Sequence, residues 1–231
     1  TRFVLSNCLA PHVLMPEGRF SIRDWLDDEH AGNLFITWRE DMAEGLKPLI
    51  SAWADVVCTS VLSLPEDPDR RLWIIIDELA SMDKLASLEA AATKGRKHGL
   101  RIVAGLQSTS QLTDIYGPNE AQTLRSCFRS LVVLGGAKTD PQTCEDMSKA
   151  LGEHEVERIA YSSSSNQKGT NRSKQIRTDR ERVVLGSEIA SLPDLVGYVS
   201  FASDYPVAKV KLDYTDYVVH NPPFVERAFN A

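Results

Sequence analysis

Cysteine is scarce in this sequence, and its spacing excludes two common kinds of site. The four cysteines lie far apart, and no two of them form a CxxC pair. They are Cys8, Cys58, Cys127 and Cys144. Zinc sites and disulfide frameworks need closely or regularly spaced cysteines, so we expect buried thiols in a reducing compartment. The five histidines are equally scattered and show no metal-binding spacing.

Three further absences narrow the class of protein. The formal net charge is −6, so the chain as a whole is not a free basic nucleic-acid binder. It has no signal peptide and no run that approaches the ~20 apolar residues of a membrane span, which predicts a soluble piece. Its first residue is Thr1, and we expect a fragment of a longer protein. With 231 residues, 42% of them hydrophobic, it is long enough for one globular domain with a core.

A phosphate-binding loop of the GxxxxGK[ST] type is also missing. The nearest segment, GTNRSK at residues 169–174, lacks the spacing, the second glycine and a preceding strand. Such a loop surrounds phosphates with backbone N–H groups. We therefore expect the isolated chain to bind ATP poorly or not at all.

The most informative segment that is present is LWIIIDELA, at residues 72–80. Its five apolar residues predict a strand buried on both faces, and Asp77 and Glu78 follow directly. The carboxyl ends of strands form the ligand-binding edge of an α/β sheet, where one acid can hold Mg²⁺ through water and the next can polarise an attacking water. The alternative is an acidic pair that caps the next helix.

Strands and helices alternate through residues 33–152. Strands are predicted at 33–37, 72–76, 101–106 and 131–134, and helices at 22–27, 46–64, 85–98, 120–127 and 140–151. This order indicates an α/β fold with a mostly parallel sheet and helices on both faces. The strand at 101–106 ends at Gln107, where a side chain that senses the γ-phosphate would lie. Alternatively, a polar side chain there caps the following segment.

Two basic segments stand out. Five basic residues end the helix after the acidic pair: Lys94, Arg96, Lys97, His98 and Arg101. They either complement the helix dipole or supply an arginine that reaches a neighbouring subunit's nucleotide, and Arg125 and Arg129 are weaker candidates for that arginine. Residues 161–182 have few large apolar side chains and six Lys or Arg, which predicts a mobile basic loop.

Long segments of the chain closely resemble the type IV coupling proteins of bacterial conjugation, of the TraD/TrwB type. The resemblance rests on GNLFITWREDM at 32–42, the run at 49–112 that contains LWIIIDELA and KGRKHG, AQTLRSCFRSLVVLGG at 121–136 and MSKALGEHEVER at 147–158. It implies a RecA-like three-layer sandwich, related to FtsK, that lacks its P-loop half. Residues 1–32 would return from an upstream all-helical insertion, residues 33–220 would form the C-terminal part of the nucleotide-binding domain, and residues 221–231 would be a tail.

The resemblance also implies a function for the parent protein. It would be a plasmid-transfer motor: a hexameric, DNA-dependent ATPase on the cytoplasmic face of the bacterial inner membrane. It would link a relaxase–DNA complex to the ATPase and inner-membrane components of a type IV secretion channel. Its cofactors would be ATP and Mg²⁺, and it would bind single- or double-stranded DNA without reading sequence.

Residue roles follow from the same resemblance. Asp77 would bind Mg²⁺ through water, Glu78 would activate the attacking water, Gln107 would be the sensor, and Arg96 would be the trans-acting arginine finger. The loop at 161–182 would contact DNA or a neighbouring subunit, or would be a solvated loop. The chain alone would be inactive because it lacks the P-loop.

Two other classes of function stay open on sequence grounds. The domain could be a non-catalytic interaction module that docks on the secretion machinery, with Asp77 and Glu78 serving only as a cap. It could also be a Mg²⁺-dependent nuclease, which would need further acids such as Asp83 or Glu89 to converge on Asp77.

Overall fold

The structure, a computed structural model, describes residues 20–28, 32–166 and 169–218, without the side chains of residues 160–173. The chain divides after Ser130 into two compact units. Each unit has its own hydrophobic core. The mixture of helices and strands in both units confirms the predicted α/β class.

The described residues of the first unit form five α-helices and one pair of strands. The helices are α1 (Ile22–Asp27), α2 (Ala43–Ser63), α3 (Leu88–Lys94), α4 (Thr109–Tyr116) and α5 (Pro118–Cys127). The strands are β1 (Leu72–Ile76) and β2 (Leu100–Ala104), and short 3₁₀ turns lie at Glu40–Met42, Leu79–Ser81 and Gly95–His98. The sequence predicted four of these helices, although α3 is shorter than expected, and it missed α4.

Strands β1 and β2 pair in parallel, as the sequence predicted. Leu72 lies opposite Leu100, and Ile76 lies opposite Ala104. The connection between them carries α3, and a parallel pair requires a crossover of this kind. Alternate residues, among them Leu72, Ile74 and Ile102, face the core of the first unit.

The opposite face of this strand pair is exposed, which differs from the prediction of a strand buried on both faces. Trp73 is 58% exposed, Ile75 is 73% exposed and Val103 is 47% exposed. The described residues therefore cover only one face of the β1–β2 pair. An unbroken apolar run such as that of β1 is typical of a strand that is buried on both faces. The sequence does not show which segments pack on the two faces.

Helix α2 is the longest helix among the described residues of the first unit, and it is amphipathic. It buries Ile50, Val57 and Val61 in the core. It ends at Ser63 because Leu64 precedes Pro65, which disfavours helical backbone and leaves Leu64 extended.

The α2 region differs from the expectation that no segment is long and apolar enough for a membrane span. Among the described residues, the helical segment Glu40–Ser63 contains an 18-residue stretch with a mean hydropathy of 1.2, and it is long and apolar enough to cross a membrane by length and composition alone. Core helices of globular proteins also have this length and composition. In the structure α2 packs one face on the core of the first unit, and its Asp55 carboxylate accepts a hydrogen bond from the backbone N–H of Ser87 at 2.8 Å.

The second unit is built on an antiparallel sheet in the order β3–β6–β7. The strands are β3 (Leu131–Val133), β6 (Val196–Ser200) and β7 (Ala208–Lys211), and the helices are α6 (Pro141–Leu151) and α7 (Gly186–Ile189). Among the described strands only β1 and β2 are parallel, so the predicted parallel pairing is confirmed for that pair alone. Asp140 caps α6 through the backbone N–H of Thr143, as its position before Pro141 predicted.

The predicted mobile loop at 161–182 lies in a β-hairpin, so the loop assignment is wrong for the described residues. Strands β4 (Glu153–Asn166) and β5 (Gly169–Arg182) pair residue by residue. Near the base of the hairpin, Arg182 pairs with Glu153 at 3.3 Å and Arg180 with Glu155 at 3.4 Å. The low content of large apolar side chains suggested a loop, but backbone ladders and opposite charges across the strands also stabilise a two-stranded ribbon.

Other predictions differ from the structure or lie outside it. Residues 32–39 form no strand, although one was predicted at 33–37, and Phe35 is 81% exposed. The predicted tail at 221–231 lies outside the described residues. Only 20–28 and 32 are described within the predicted return segment 1–32, and they contain α1 with its N-cap Ser21.

Candidate nucleotide site

Asp77, Glu78 and Gln107 lie at the same edge of the β1–β2 pair. Asp77 follows the last residue of β1, and Gln107 lies three residues beyond the end of β2. Because the two strands are parallel, their carboxyl ends meet at one edge. The structure therefore brings three of the four residues that the sequence singled out to one edge of the strand pair.

Gly105 holds this edge together through its backbone. Its N–H donates to the carbonyl oxygen of Ile76 at 2.8 Å, and its own carbonyl oxygen accepts from the N–H of Leu79 at 3.0 Å. These two hydrogen bonds span the turn that contains Asp77 and Glu78. The end of β2 thus fixes the backbone on both sides of the acidic pair.

Glu78 caps the turn that follows it. Its Oε1 accepts a hydrogen bond from the N–H of Ala80 at 3.1 Å, so Glu78 is the N-cap of the 3₁₀ turn Leu79–Ser81. The capping role that sequence left open is therefore observed for this residue. An ionised carboxylate has about four acceptor positions on two oxygens, so the cap does not exhaust it.

Asp77 has a different environment from its neighbour. Its side chain is exposed, and it makes no hydrogen bond or ion pair with the described residues. No group of three or more His, Cys, Asp or Glu that could hold a metal ion occurs in the described part of the chain. A single free carboxylate nevertheless fits Mg²⁺, which commonly takes one or two carboxylates and completes its shell with water and phosphate oxygens.

Gln107 is exposed, and another residue performs the capping function proposed for it. Ser108 is the N-cap of α4: its Oγ accepts from the N–H of Ser110 at 3.3 Å, and its own N–H donates to Gln111 Oε1 at 3.1 Å. This is a complete capping box. The amide of Gln107 is therefore left at the strand edge, beside Asp77 and Glu78 in the chain topology.

Three side chains hold the backbone between the acidic pair and α3. Ser51 Oγ on α2 accepts from the N–H of Asp83 at 2.9 Å, and Asp55 accepts from the N–H of Ser87. Tyr116 on α4 accepts from the N–H of Leu85 at 3.3 Å. Burial raises the pKa of the Tyr116 hydroxyl, which keeps it neutral in this position. The segment after the acids is thus fixed by α2 and α4.

Arg96 lies at the opposite edge of the strand pair. It belongs to the 3₁₀ turn Gly95–His98, and Gly99 then leads into β2 with a positive φ of 87°. The carbonyl oxygen of Gly99 accepts from the N–H of Leu72, the first residue of β1. One strand length, roughly 16 Å for five residues, separates this edge from Asp77. The structure therefore does not bring Arg96 to the acids of its own chain.

Arg96 is one of several cations around a shallow depression of about 610 Å³ at this amino-terminal edge. The basic residues that line it are Arg71, Lys94, Arg96, Lys97 and Arg101. They come from the end of α3, the following 3₁₀ turn and the residues that flank the strand starts. We call this feature the basic depression.

Sequence reasoning missed Gly105 and the polar pair Ser51 and Asp55. A glycine inside a predicted strand often marks the close approach of another backbone, which was a usable signal for Gly105 in the strand predicted at 101–106. The second signal was the i, i+4 spacing of Ser51 and Asp55, because residues at that spacing share a helix face. Both lie in the same helix as the core residues Ile50 and Val57.

Comparison with known proteins decides the family. The family model described as the type IV secretion-system coupling protein DNA-binding domain matches residues 2–213. The chain belongs to this family. The coupling protein TraD of Escherichia coli (strain K12) is 33% identical over 225 residues, which cover 91% of this coupling-protein chain and 30% of TraD.

Two solved structures of TrwB have the same fold. Unbound TrwBdeltaN70 is 64% identical with a TM-score of 0.86, and the match covers 97% of this coupling-protein chain and 51% of that chain. TrwB in complex with ADP and Mg²⁺ is 63% identical with a TM-score of 0.84, covering 97% and 50%. The coupling-protein chain therefore spans about half the length of these solved chains.

Proposed function

We propose that this chain is the C-terminal part of the nucleotide-binding domain of a hexameric conjugative coupling protein. The full-length protein is an ATP-driven DNA motor that links a relaxase–DNA complex to a type IV secretion channel at the cytoplasmic face of the inner membrane. The observation that carries the proposal is the shared strand edge of Asp77, Glu78 and Gln107. TrwB, solved with ADP and Mg²⁺, supports the choice of cofactor.

Each residue at the shared edge has a separate role in phosphoryl transfer in this proposal. Bound Mg²⁺ neutralises negative charge that develops on the phosphates. Asp77 holds the metal through water, and its unpaired carboxylate suits that role. Glu78 orients and polarises the attacking water, while Gln107 contacts the γ-phosphate and distinguishes the triphosphate from the diphosphate.

Arg96 acts on the nucleotide of a neighbouring subunit in this proposal. Its position at the opposite edge from Asp77 supports action in trans over action within the same chain. In a head-to-tail ring, the interface is heterologous, so two different surfaces of neighbouring subunits face each other. The Arg96 edge of one subunit would then face the Asp77 edge of the next. The guanidinium would stabilise charge on the phosphate during transfer.

The chain supplies only part of the nucleotide site. Its sequence has no GxxxxGK[ST] loop, so other residues of the full-length protein hold the phosphates. The family description supports DNA as a partner. Contacts to DNA are then mainly to phosphates and independent of sequence.

The test is ATP hydrolysis by the full-length protein with and without DNA. The Asp77→Asn variant should lose DNA-stimulated hydrolysis and its dependence on Mg²⁺. Asp83→Asn is the matched control, because Asp83 is an exposed carboxylate six residues further along with only a 3.9 Å ion pair to Lys47. Equal hydrolysis by Asp77→Asn and the control would contradict the proposal.

The second candidate function is a non-catalytic interaction module that docks on the secretion machinery. The Glu78 cap favours it, because capping alone would explain an acid at this position. A module predicts that full-length protein binds its partners but hydrolyses no ATP above background. The two functions are therefore separated by the same hydrolysis measurement.

A further inference from the structure

The basic depression has no function in the scheme above apart from Arg96. Five cationic side chains line it, and no acidic side chain does. The chain as a whole carries a net charge of −6, so this concentration of positive charge is local. Like charges held together repel one another, and an anion between them would relieve that repulsion.

The helix dipole explains only part of the cluster. Lys94 lies in the last turn of α3, and Arg96 and Lys97 lie in the following 3₁₀ turn, where cations are favourable. Arg71 immediately precedes β1, and Arg101 is the second residue of β2. Strands have little net dipole, so these two arginines need another explanation.

Backbone carbonyls hold both of these arginines in place. Arg71 Nη1 donates to the carbonyl oxygens of Pro68 at 2.6 Å and Arg70 at 2.9 Å. Arg101 Nη1 donates to the carbonyl oxygen of Leu100 at 2.8 Å. A guanidinium has five N–H donors in a rigid fork, so each retains donors for a ligand. Their positions are fixed in advance, which reduces the entropy lost on binding.

The other cations differ in how far they are neutralised. Lys97 pairs with Glu66 at 2.6 Å. The side chains of Lys94 and Arg96 form no ion pair or hydrogen bond with any residue that the structure describes. The depression therefore combines two anchored arginines with two uncompensated cations.

We propose that the basic depression is a phosphate-binding site in which Arg71 and Arg101 are ligand-contacting residues alongside Arg96. It lies across the strand pair from Asp77, so its ligand is not the phosphate chain held at the acidic edge of the same subunit. Two sources share the required chemistry: the DNA backbone, and the triphosphate of a nucleotide on a neighbouring subunit. The choice of these sources rests on the proposed function.

The test compares full-length variants that remove two charges. Arg71→Gln/Arg101→Gln removes both anchored charges, and each amide keeps an N–H that can bond to the same carbonyl. Arg23→Gln/Lys138→Gln is the matched control, because both residues are exposed and neither lines the depression. Arg71→Lys/Arg101→Lys restores the charges. Thermal unfolding of all variants checks that each is folded.

Two readouts distinguish the sources. Fluorescence anisotropy with a labelled oligonucleotide, without nucleotide and over a range of salt, detects DNA phosphates. Loss of two contacts lowers the slope of log K against log salt by about 1.4 to 1.8. ATP hydrolysis without DNA detects the triphosphate of a neighbouring subunit. Hydrolysis should be lost in rings made only of the glutamine variant, and it should recover in rings that mix this variant with wild type. The lysine variant should recover most of either loss.

The proposal is overturned if the glutamine variant matches Arg23→Gln/Lys138→Gln in both readouts, or if it loses function that lysine does not restore. This failure differs from failure of the proposed function. If the proposed function fails, the wild type itself shows neither DNA binding nor hydrolysis. If only the phosphate site fails, the wild type shows both and the glutamine variant equals the wild type.

Discussion

A side chain at position 105 would collide with the backbone of Asp77. A Cβ atom built on Gly105 would lie 1.9 Å from the carbonyl oxygen of Asp77, a distance that real Cβ atoms do not reach. The contact is with backbone rather than with a flexible side chain, so one of the two strand ends must move. Gly105 therefore sets the position of Asp77 relative to the end of β2.

Replacing Gly105 with alanine should therefore impair catalysis more than nucleotide binding. In full-length protein, Gly105→Ala should displace Asp77 and lower kcat for ATP by about tenfold or more, since small misplacements of reacting groups have large effects on rate. The affinity for ADP without Mg²⁺ should change little. Gly45→Ala is the control, because nothing lies within 4 Å of its Cβ position on α2. A kcat for Gly105→Ala equal to that of the control would contradict the role of this contact.

The arginine finger prediction concerns mixed rings. Arg96→Ala should abolish DNA-stimulated hydrolysis in uniform rings, because no other subunit supplies the guanidinium. Titrating in subunits with Glu78→Gln should recover part of the activity, because each variant supplies what the other lacks across an interface. Steady-state hydrolysis at fixed total protein measures this recovery. Absence of recovery at every mixing ratio would show that Arg96 does not act in trans.

Asp55 should contribute to stability through the segment that it holds. Asp55→Ala leaves the N–H of Ser87 without its partner, and an unsatisfied buried donor costs about 1–3 kcal/mol. Urea unfolding followed by circular dichroism measures the change. Asp114→Ala, which replaces an exposed aspartate on α4, should have an effect within about 0.5 kcal/mol. Equal midpoints for the two variants would mean that the α2 contact does not stabilise this segment.

The thiol of Cys58 should be inert in the folded protein. Burial raises its pKa to about 11, and only 1% of the residue is exposed. The reactive thiolate is therefore a small fraction at pH 8, and reagents cannot reach it. Labelling with a maleimide and mass spectrometry should show modification of Cys58 only after denaturant is added. Rapid labelling under native conditions would show that this core opens readily.

The isolated chain should not bind ATP tightly, because it has no P-loop to surround the phosphates with backbone N–H groups. Isothermal calorimetry on the 231 residues should show no binding in the nanomolar to micromolar range. Binding of that strength would mean that Asp77, Glu78 and Gln107 suffice without the missing loop.

Sequence patterns predicted the elements that depend on local spacing. The helical periodicity of α2, the Asp140–Pro141 start of α6 and the strand β1 before Asp77 were all recognisable in this way. Parallel pairing of β1 and β2 followed from the helical connection between them, and it placed Gln107 beside the acids. The first three features depend on residues close together in the chain, and the parallel pairing follows from the general rule that a helical crossover joins parallel strands.

The features that sequence missed depend on contacts between distant residues. The Gly105 contact with Asp77 joins two strand ends, and the hydrogen bond that the N–H of Ser87 donates to Asp55 joins the start of α3 to α2. The hairpin β4–β5 depends on register between two polar strands, which apolar periodicity does not report. Whether the outer face of β1 is exposed depends on which segments pack against it.

The most direct test of the proposed function is the Glu78→Gln substitution in the full-length protein. Glutamine keeps an oxygen that can accept from the N–H of Ala80, so the cap of the 3₁₀ turn is retained while the carboxylate base is removed. Glu44→Gln, at an exposed position on α2, is the control. Both nucleotide affinity and DNA-stimulated ATP hydrolysis should be measured on the same preparation. We predict unchanged affinity with hydrolysis and DNA transfer abolished, and hydrolysis equal to that of the control would show that Glu78 is only a cap.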